Sequence, residues 1–247
     1  YATASVVAWV MYQKYANSMP LYRQEQDWKQ LGVLLNRATL ANWIIHCATQ
    51  YFKPLYDHLH RELLKREFLM ADETRIQVLH EEERKAENDS FMWLFRSGED
   101  GLPDIVLYQY TETRAKFHAA EFLKGFRGYL ETDCYQGYNN LPGIRRCCCF
   151  AHLRRYFVEA VPKGKELDYG NPAAQGVQYI NRLFEQERYS AAQKHTPEQR
   201  YAYRLEKEKP ILDAFWTWLS QQTPKKGTRL EKAVNYAQNH KAEFMTY

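Results

Sequence analysis

Glycine and proline are scarce, 11 and 9 in 247 residues, roughly 8% together against about 12% in an average soluble chain. So few breakers exclude a solenoid of short turns and a disordered tail, and they favour long regular elements. The apolar run Ser5 to Met11 is far too short to cross a bilayer. No basic segment precedes it as one would in a secretory leader. Cysteine is sparse as well: five, an odd number, with three consecutive at Cys147, Cys148 and Cys149. Adjacent cysteines in an apolar run are not the spacing of a disulfide framework, which points to a reducing, cytoplasmic setting with no membrane. The excess of basic over acidic residues, 34 against 30, is too small to mark a nucleic-acid binder by itself. What remains, 45% apolar and 26% charged residues, is a globular protein of one or two domains. A first residue Tyr1 rather than Met leads us to expect that the sequence begins inside a longer polypeptide.

Charge is distributed unevenly. Ile144 to Lys165 holds six basic residues (Arg145, Arg146, Arg154, Arg155, Lys163, Lys165) and one acid, Glu159. Glu81 to Asp100 holds seven acids against three bases, and the overlapping segment His80 to Ser90 reads as a solvated connection. Residues 1–65 read as helices: Ala4 to Tyr15, Leu21 to Leu31 after Pro20, a third capped by Asn36 with the stripe Leu40, Trp43, Ile44 and Cys47, and a fourth over Leu55 to Lys65. At Phe68 the period changes to a strand running towards Val78. Further strands follow at Phe91 to Phe95, Ile105 to Tyr110, Tyr129 to Asp133 and Cys147 to Phe150, with a helix at Arg114 to Phe126. The rest is helical, broken at Pro162 to Pro172 and Thr223 to Thr228.

That order predicts a mixed α/β fold: a three-strand antiparallel meander extended by parallel strands, as in an RNase H-like five-stranded core (66–160), with helical regions before it (1–65) and after it (161–247). In such a sheet the first and fourth strands are neighbours, so Asp72 and Asp133 can share a divalent ion. Mg²⁺ is commonly held by one or two carboxylates plus water and phosphate oxygens. Two ions roughly 4 Å apart can stabilise the attacking and leaving oxygens of a phosphoryl displacement. The competing reading is a strand-end aspartate bonded to backbone.

Four stretches carry a family resemblance: Lys14-Tyr15 with Pro20-Leu21-Tyr22-Arg23-Gln24-Glu25; Ala71-Asp72-Glu73-Thr74; Thr132-Asp133-Cys134-Tyr135-Gln136-Gly137-Tyr138; and Cys149-Phe150-Ala151-His152-Leu153-Arg154-Arg155-Tyr156-Phe157. In this order they resemble the transposases of the insertion sequence 66 family. The resemblance implies that Asp72 and Asp133 are the first two members of an Asp-Asp-Glu triad binding Mg²⁺ or Mn²⁺. It also implies cleavage of double-stranded DNA at element ends by water, then strand transfer to a target by the freed 3′-hydroxyl, in a homo-oligomer on DNA. The family's third carboxylate, in an Asn-x-x-Glu-Arg setting, has no counterpart here and is expected beyond Tyr247. Glu231 and Glu243, on a solvated helix, are poor substitutes. The family's cysteine-rich zinc segment is likewise missing.

His152, Arg154 and Arg155 follow the fifth strand, where arginines can clamp phosphates in bidentate fashion; surface salt bridges and a helix-capping His152 are the plainer alternative. Zinc binding by Cys147, Cys149 and His152 lacks a fourth ligand of ordinary spacing. The helices from Leu21 and Asn36 suggest a helix-turn-helix with Asn36, Arg37, Thr39 and Asn42 at base edges, although the turn is longer than the compact motif and a helical hairpin competes. Two other functions stay open: a non-catalytic DNA-binding relative of the same fold, and an unrelated metal-dependent nuclease.

Overall fold

The computed structural model describes residues 2–79, 81, 84–164, 168 and 170–246. His80, within the expected solvated connection, Lys165, within the basic stretch, and Tyr247 lie outside them. The chain forms two compact units, Tyr1–Glu62 and Leu63–Tyr247, and the helices expected to follow residue 160 belong to the second. Among the described residues no helix is long and apolar enough to cross a membrane.

The first unit holds α1 (Ala4–Tyr15), α2 (Leu21–Gln30), α3 (Arg37–Cys47) and α4, which starts at Lys53 and ends at Leu63. Its buried centre is Val10, Leu40 and Ile44, with Met11, Leu21, Trp28, Leu35 and Trp43 packed around them. Gln24, fully buried, donates its Nε2 to the carbonyls of Val10 (3.2 Å) and Met19 (3.0 Å), tying α2 to the end of α1. Gly32 stops α2 with φ +78°, its N–H reaching the Lys29 carbonyl while Val33 N–H reaches Trp28. This pair of bonds is a Schellman cap, which suits glycine because only it adopts that φ without strain.

A separate fourth helix beginning at Leu55 is not what the chain forms. α3 continues through a π turn, Ala48–Phe52, directly into α4. Pro54 supplies the reason: it has no amide for the Gln50 carbonyl and its ring crowds that oxygen, so the turn above it widens. The same device recurs in the second unit, where the π turn Arg204–Glu208 ends two residues before Pro210.

The second unit is built on a five-stranded mixed sheet in the order β3-β2-β1-β4-β5. β1 (Phe68–Gln77), β2 (Asp89–Ser97) and β3 (Val106–Thr111) form the antiparallel meander; β4 (Gly128–Thr132) runs parallel to β1 and β5 (Ile144–Cys148) parallel to β4. Period-2 alternation sets the faces. Leu69, Ala71 and Glu73 of β1 stand beside Ser97, Phe95 and Trp93 of β2, and Leu69 beside Leu130 of β4. α5 (Lys116–Phe122) covers this face, with Phe122 stacked on Phe95 at 3.7 Å between ring centres. α5 is shorter than expected because Gly125 turns the chain at φ +92°.

Two expectations fail locally. The fifth strand lies three residues earlier than the apolar triplet suggested: Arg145 and Arg146 belong to it, and Cys149 already caps α6 (Phe150–Ala160). Arg145 is exposed and donates to the Tyr129 hydroxyl at 3.3 Å, while half-buried Arg146, on the other face, donates to Thr132 Oγ1 at 3.3 Å and to Asn139 Oδ1. Glu81 is not solvated; its side chain is 7% exposed and bonds to Arg84, Ser90 and Tyr110.

Behind the sheet follow α7 (Pro172–Ala192), α8 (Pro197–Tyr203), α9 (Lys209–Ser220), α10 (Arg229–Asn239) and α11 (Lys241–Phe244). Their aromatic core, with Phe157, Phe215, Trp216 and Phe244, encloses Cys134, Cys148 and Leu153. Gly176 lets α7 approach α6, since a Cβ there would strike the Phe157 ring.

Candidate active site

The register of β1 on β4 pairs Phe68 with Tyr129, Leu69 with Leu130 and Met70 with Glu131. Asp72 lies two residues past that ladder in β1, and Asp133 comes directly after the end of β4. Both aspartates line one cleft of about 420 Å³, together with Glu73, Thr74, His152, Arg155, Tyr156, Glu159 and Lys232. Asp72 is exposed, and among the described residues its carboxylate accepts only the Glu73 N–H, at 2.9 Å.

Asp133 is held by a turn. Its Oδ1 accepts the Tyr135 N–H at 2.8 Å, Cys134 takes φ +63°, and the Cys134 N–H reaches Thr132 Oγ1 at 3.3 Å. Such side-chain-to-backbone bonding two residues on is what aspartate does well in turns. From α10, Tyr236 donates its hydroxyl to the Asp133 carbonyl at 2.5 Å. A 3₁₀ turn, Gln136–Tyr138, follows, and Gly137 has no room for a Cβ because the Tyr135 ring occupies that place. The spacing Tyr-Gln-Gly-Tyr thus has a steric cause.

Glu73, next to Asp72, meets a different environment. Its side chain is 1% exposed; Oε1 accepts Arg114 Nε at 2.6 Å and Oε2 accepts the Tyr138 hydroxyl at 2.5 Å. Arg114 lies 3.7 Å over the Tyr135 ring, receives the Tyr135 hydroxyl on its carbonyl at 2.8 Å, and reaches Asp133 Oδ2 with a longer contact of 3.4 Å. Burial pushes the Glu73 carboxyl above its usual range, against the pull of Tyr138 and Arg114. Burial, then the Glu73 charge, raises the Tyr138 hydroxyl. Burial alone would lower Arg114, but the Glu73 hydrogen bond and charge, with Asp133, raise it. The network is a fixed support for the Asp133 turn rather than a set of open ligands.

α6 contributes His152, Arg155, Tyr156 and Glu159, spaced to form one helical face towards the cleft. Arg155 is exposed there; His152 Nδ1 is buried without a hydrogen-bond partner among the described residues. Arg154, expected beside Arg155, turns to α7 and donates Nε to Asn181 Oδ1 at 2.7 Å. Lys232 of α10 lies 4.9 Å over the Tyr156 ring. Glu231 is occupied by the Gly227 N–H at 2.6 Å, and Glu243 lies 4.0 Å from His240 Nδ1.

In the first unit, Asn36 caps α3, its Oδ1 accepting the Thr39 N–H at 2.8 Å. That use of the side chain weakens its expected role at a base edge. Arg37 N–H donates to Glu25 at 3.1 Å and its guanidinium lies 5.8 Å from the Tyr22 ring; Arg37 and Asn42 are exposed. Six residues, 31–36, separate α2 from α3, longer than a compact helix-turn-helix.

The expected absence of disulfides also fails: Cys134 and Cys148 are joined, with 5.4 Å between their Cα atoms, while Cys47, Cys147 and Cys149 are free. Sequence reasoning missed Glu73, Arg114, Tyr138 and Lys232 as site residues. Alternation after Leu69 and Ala71 was a usable signal, since it turns Glu73 inward and an inward acid needs a partner.

Among known proteins, three from Sinorhizobium fredii (strain NBRC 101917 / NGR234) are similar. The uncharacterized protein y4jD is 32% identical over 173 residues, 65% of this chain and 34% of its own length. The uncharacterized protein y4qI is 30% identical over 171 residues, covering 64% and 31%, and y4hP is 27% identical over 237 residues, covering 88% and 42%. The chain thus spans less than half the length of each. No solved structure matches it. The model of the transposase IS66 family matches residues 1–247, and on this match, which leaves no part of the sequence outside it, the chain belongs to the IS66 family of transposases.

Proposed function

We propose that this chain supplies the first two metal-binding carboxylates, Asp72 and Asp133, of a transposase that cuts and joins double-stranded DNA in the cytoplasm. The observation that carries the reading is that Asp72 and Asp133 line one cleft together with Arg155 and Lys232. The sheet order β3-β2-β1-β4-β5, with its antiparallel meander and two parallel additions, supports an RNase H-like core. The donor set fits Mg²⁺ or Mn²⁺: hard carboxylate oxygens, one of them exposed and lightly bonded. When bound there, such ions polarise phosphate oxygens and lower the pKa of attacking water.

The chain's own residues do the rest. Arg155 and Lys232 neutralise phosphate oxygens of the entering strand. Arg114, fixed by Glu73, steadies the Asp133 side chain, and Tyr135 N–H and Tyr236 hold the turn beneath it. The third carboxylate of the triad lies, on the family resemblance, in an Asn-x-x-Glu-Arg setting that this sequence does not contain. The 247-residue chain therefore binds metal but leaves one coordination role unfilled, and DNA cleavage by it stays near background.

Titration with Mn²⁺ by electron paramagnetic resonance tests the reading. Asp72→Asn and Asp133→Asn are each expected to weaken binding by about tenfold or more. Unchanged Mn²⁺ affinity in the double variant would overturn the assignment, and efficient metal-dependent nicking by the chain alone would overturn the placement of the third carboxylate.

A further inference from the structure

Outside the cleft, the described residues contain one group of three side chains able to hold a metal ion: Cys134, Cys148 and His240, whose ligand atoms all lie within 4.8 Å of one another. They come from three separate pieces of the second unit: the turn after β4, the last residue of β5, and the corner between α10 and α11. Both cysteines are buried, at 7% and 3% exposure, within the aromatic core. A disulfide alone does not call for an imidazole beside it. Yet His240 is there, and among the described residues its buried Nδ1 has no hydrogen-bond partner, lying 4.0 Å from Glu243. A buried polar atom without a partner is costly unless something else binds the group.

We propose that in the reduced protein Cys134, Cys148 and His240 form a site for a borderline-soft divalent cation of the Zn²⁺ type. Two thiolates and one imidazole are a zinc donor set, and three protein ligands leave the fourth tetrahedral position to water. The site is open only to the dithiol. A dithiol reductant delivers two electrons and two protons to the Cys134–Cys148 bond and itself closes to a disulfide; the cation then displaces the two thiol protons. Either linkage, disulfide or metal, joins the turn that carries Asp133 to β5. The metal adds the α10–α11 corner, whose helix α10 also bears Tyr236 and Lys232.

Thiolates leave a spectroscopic mark that carboxylates do not, so metal on Cys134 and Cys148 is distinguishable from metal on Asp72 and Asp133. The whole chain is reduced, freed of reductant and metal, and titrated with Co²⁺, then with Zn²⁺ in competition. One equivalent of Co²⁺ with a thiolate-to-cobalt charge-transfer band is expected, and Zn²⁺ should displace it. Cys134→Ser and Cys148→Ser should remove the band, and His240→Ala should weaken Zn²⁺ by at least about tenfold. Cys147→Ser and Cys149→Ser should leave both unchanged. Absence of the band in reduced, folded wild type, or its persistence in the Cys134→Ser/Cys148→Ser double variant, overturns the proposal. If a cysteine variant fails to fold, the oxidised wild type decides: a thiolate band from that form places the site on other cysteines and overturns it equally.

Discussion

Asp72 and Glu73 are consecutive in β1 and line one cleft, but the Asp72 carboxylate is open to solvent there and the Glu73 carboxylate is enclosed among fixed donors. In the cleft, Asp72 is exposed with a single backbone hydrogen bond, beside Arg155 and Lys232. Glu73 is enclosed by Arg114, Tyr138 and, through them, Tyr135. The difference separates two uses of a carboxylate. One with water around it can exchange that water for a metal or a substrate; one enclosed by fixed donors serves as structure and resists any change of partner. The cleft and its support should therefore respond oppositely to substitution, one in ligand binding and the other in stability.

The largest effect falls on the support. Arg114→Ala leaves Glu73 enclosed without its cation, and losing one partner of a buried pair costs about 3–5 kcal/mol. Partial exposure of Arg114, 36%, argues for the lower end. Urea unfolding at neutral pH measures it. The sign of the pH dependence is a second check: Glu73 is already raised by burial, and removal of Arg114 raises it further. The deficit should shrink at acid pH, where Glu73 is protonated. A deficit independent of pH would show that lost packing, not the buried charge, destabilises the variant.

A third acid extends the comparison. Glu208, in the π turn before Pro210, is fully buried, and among the described residues neither of its oxygens has a hydrogen-bond partner. Burial, then Glu187, pushes it from the ordinary 4.5 up to about 7. A raised acid favours the folded state while protonated, so its contribution is complete below about pH 4.5 and is lost as pH rises through about 7. The span corresponds to about 3 kcal/mol. Glu208→Gln should accordingly be more stable than wild type at pH 8 and equal to it near pH 4. Thermal unfolding across that range, with identical slopes for both proteins as the failing outcome, tests whether this acid is an unsupported counterpart of Glu73.

Much of this was legible before the structure. The change of period at Phe68, the meander and the parallel additions follow from strand alternation and connection length, and the sheet has that order. What escaped depended on distant partners. Arg114 meets Glu73 across 41 positions, and no local pattern records that pairing. The π turns arise from the clash of Pro54 and Pro210 with carbonyls four residues earlier, so a helical period read past them predicts ordinary turns. Apolarity places the fifth strand at Cys147 to Phe150, whereas Arg145 and Arg146 enter it because Tyr129, Thr132 and Asn139 take their hydrogen bonds. The pairing of Cys134 with Cys148 has no signature in the triplet, because the partner of Cys148 lies 14 residues before it.

The two neighbouring arginines of α6 sharpen the contrast at smaller scale. Arg155 faces the cleft and Arg154 bonds Asn181. Arg155→Ala should lower the salt slope of DNA binding by about one unit with little change in stability. Arg154→Ala should leave the slope alone and cost about 1 kcal/mol, the worth of one hydrogen bond. Filter-binding over a salt series separates them, and equal slopes for both variants would remove Arg155 from the DNA surface.

The smallest expected effect on stability belongs to Asp72, and its smallness is informative. Its carboxylate is exposed and accepts one N–H from the residue next to it. Asparagine keeps an oxygen in the same place, so that bond survives in Asp72→Asn, and surface changes of this kind stay within about 0.5 kcal/mol. Mn²⁺ binding should nevertheless fall, because the amide lacks the charge a hard cation requires. Glu73→Gln in parallel should show the reverse: a measurable change in stability with Arg114 left beside a neutral partner, and Mn²⁺ affinity altered far less. Should Asp72→Asn instead unfold at markedly lower urea with metal binding intact, the exposed aspartate would be a structural residue, and the division between the cleft and its support would fail at the position that defines it.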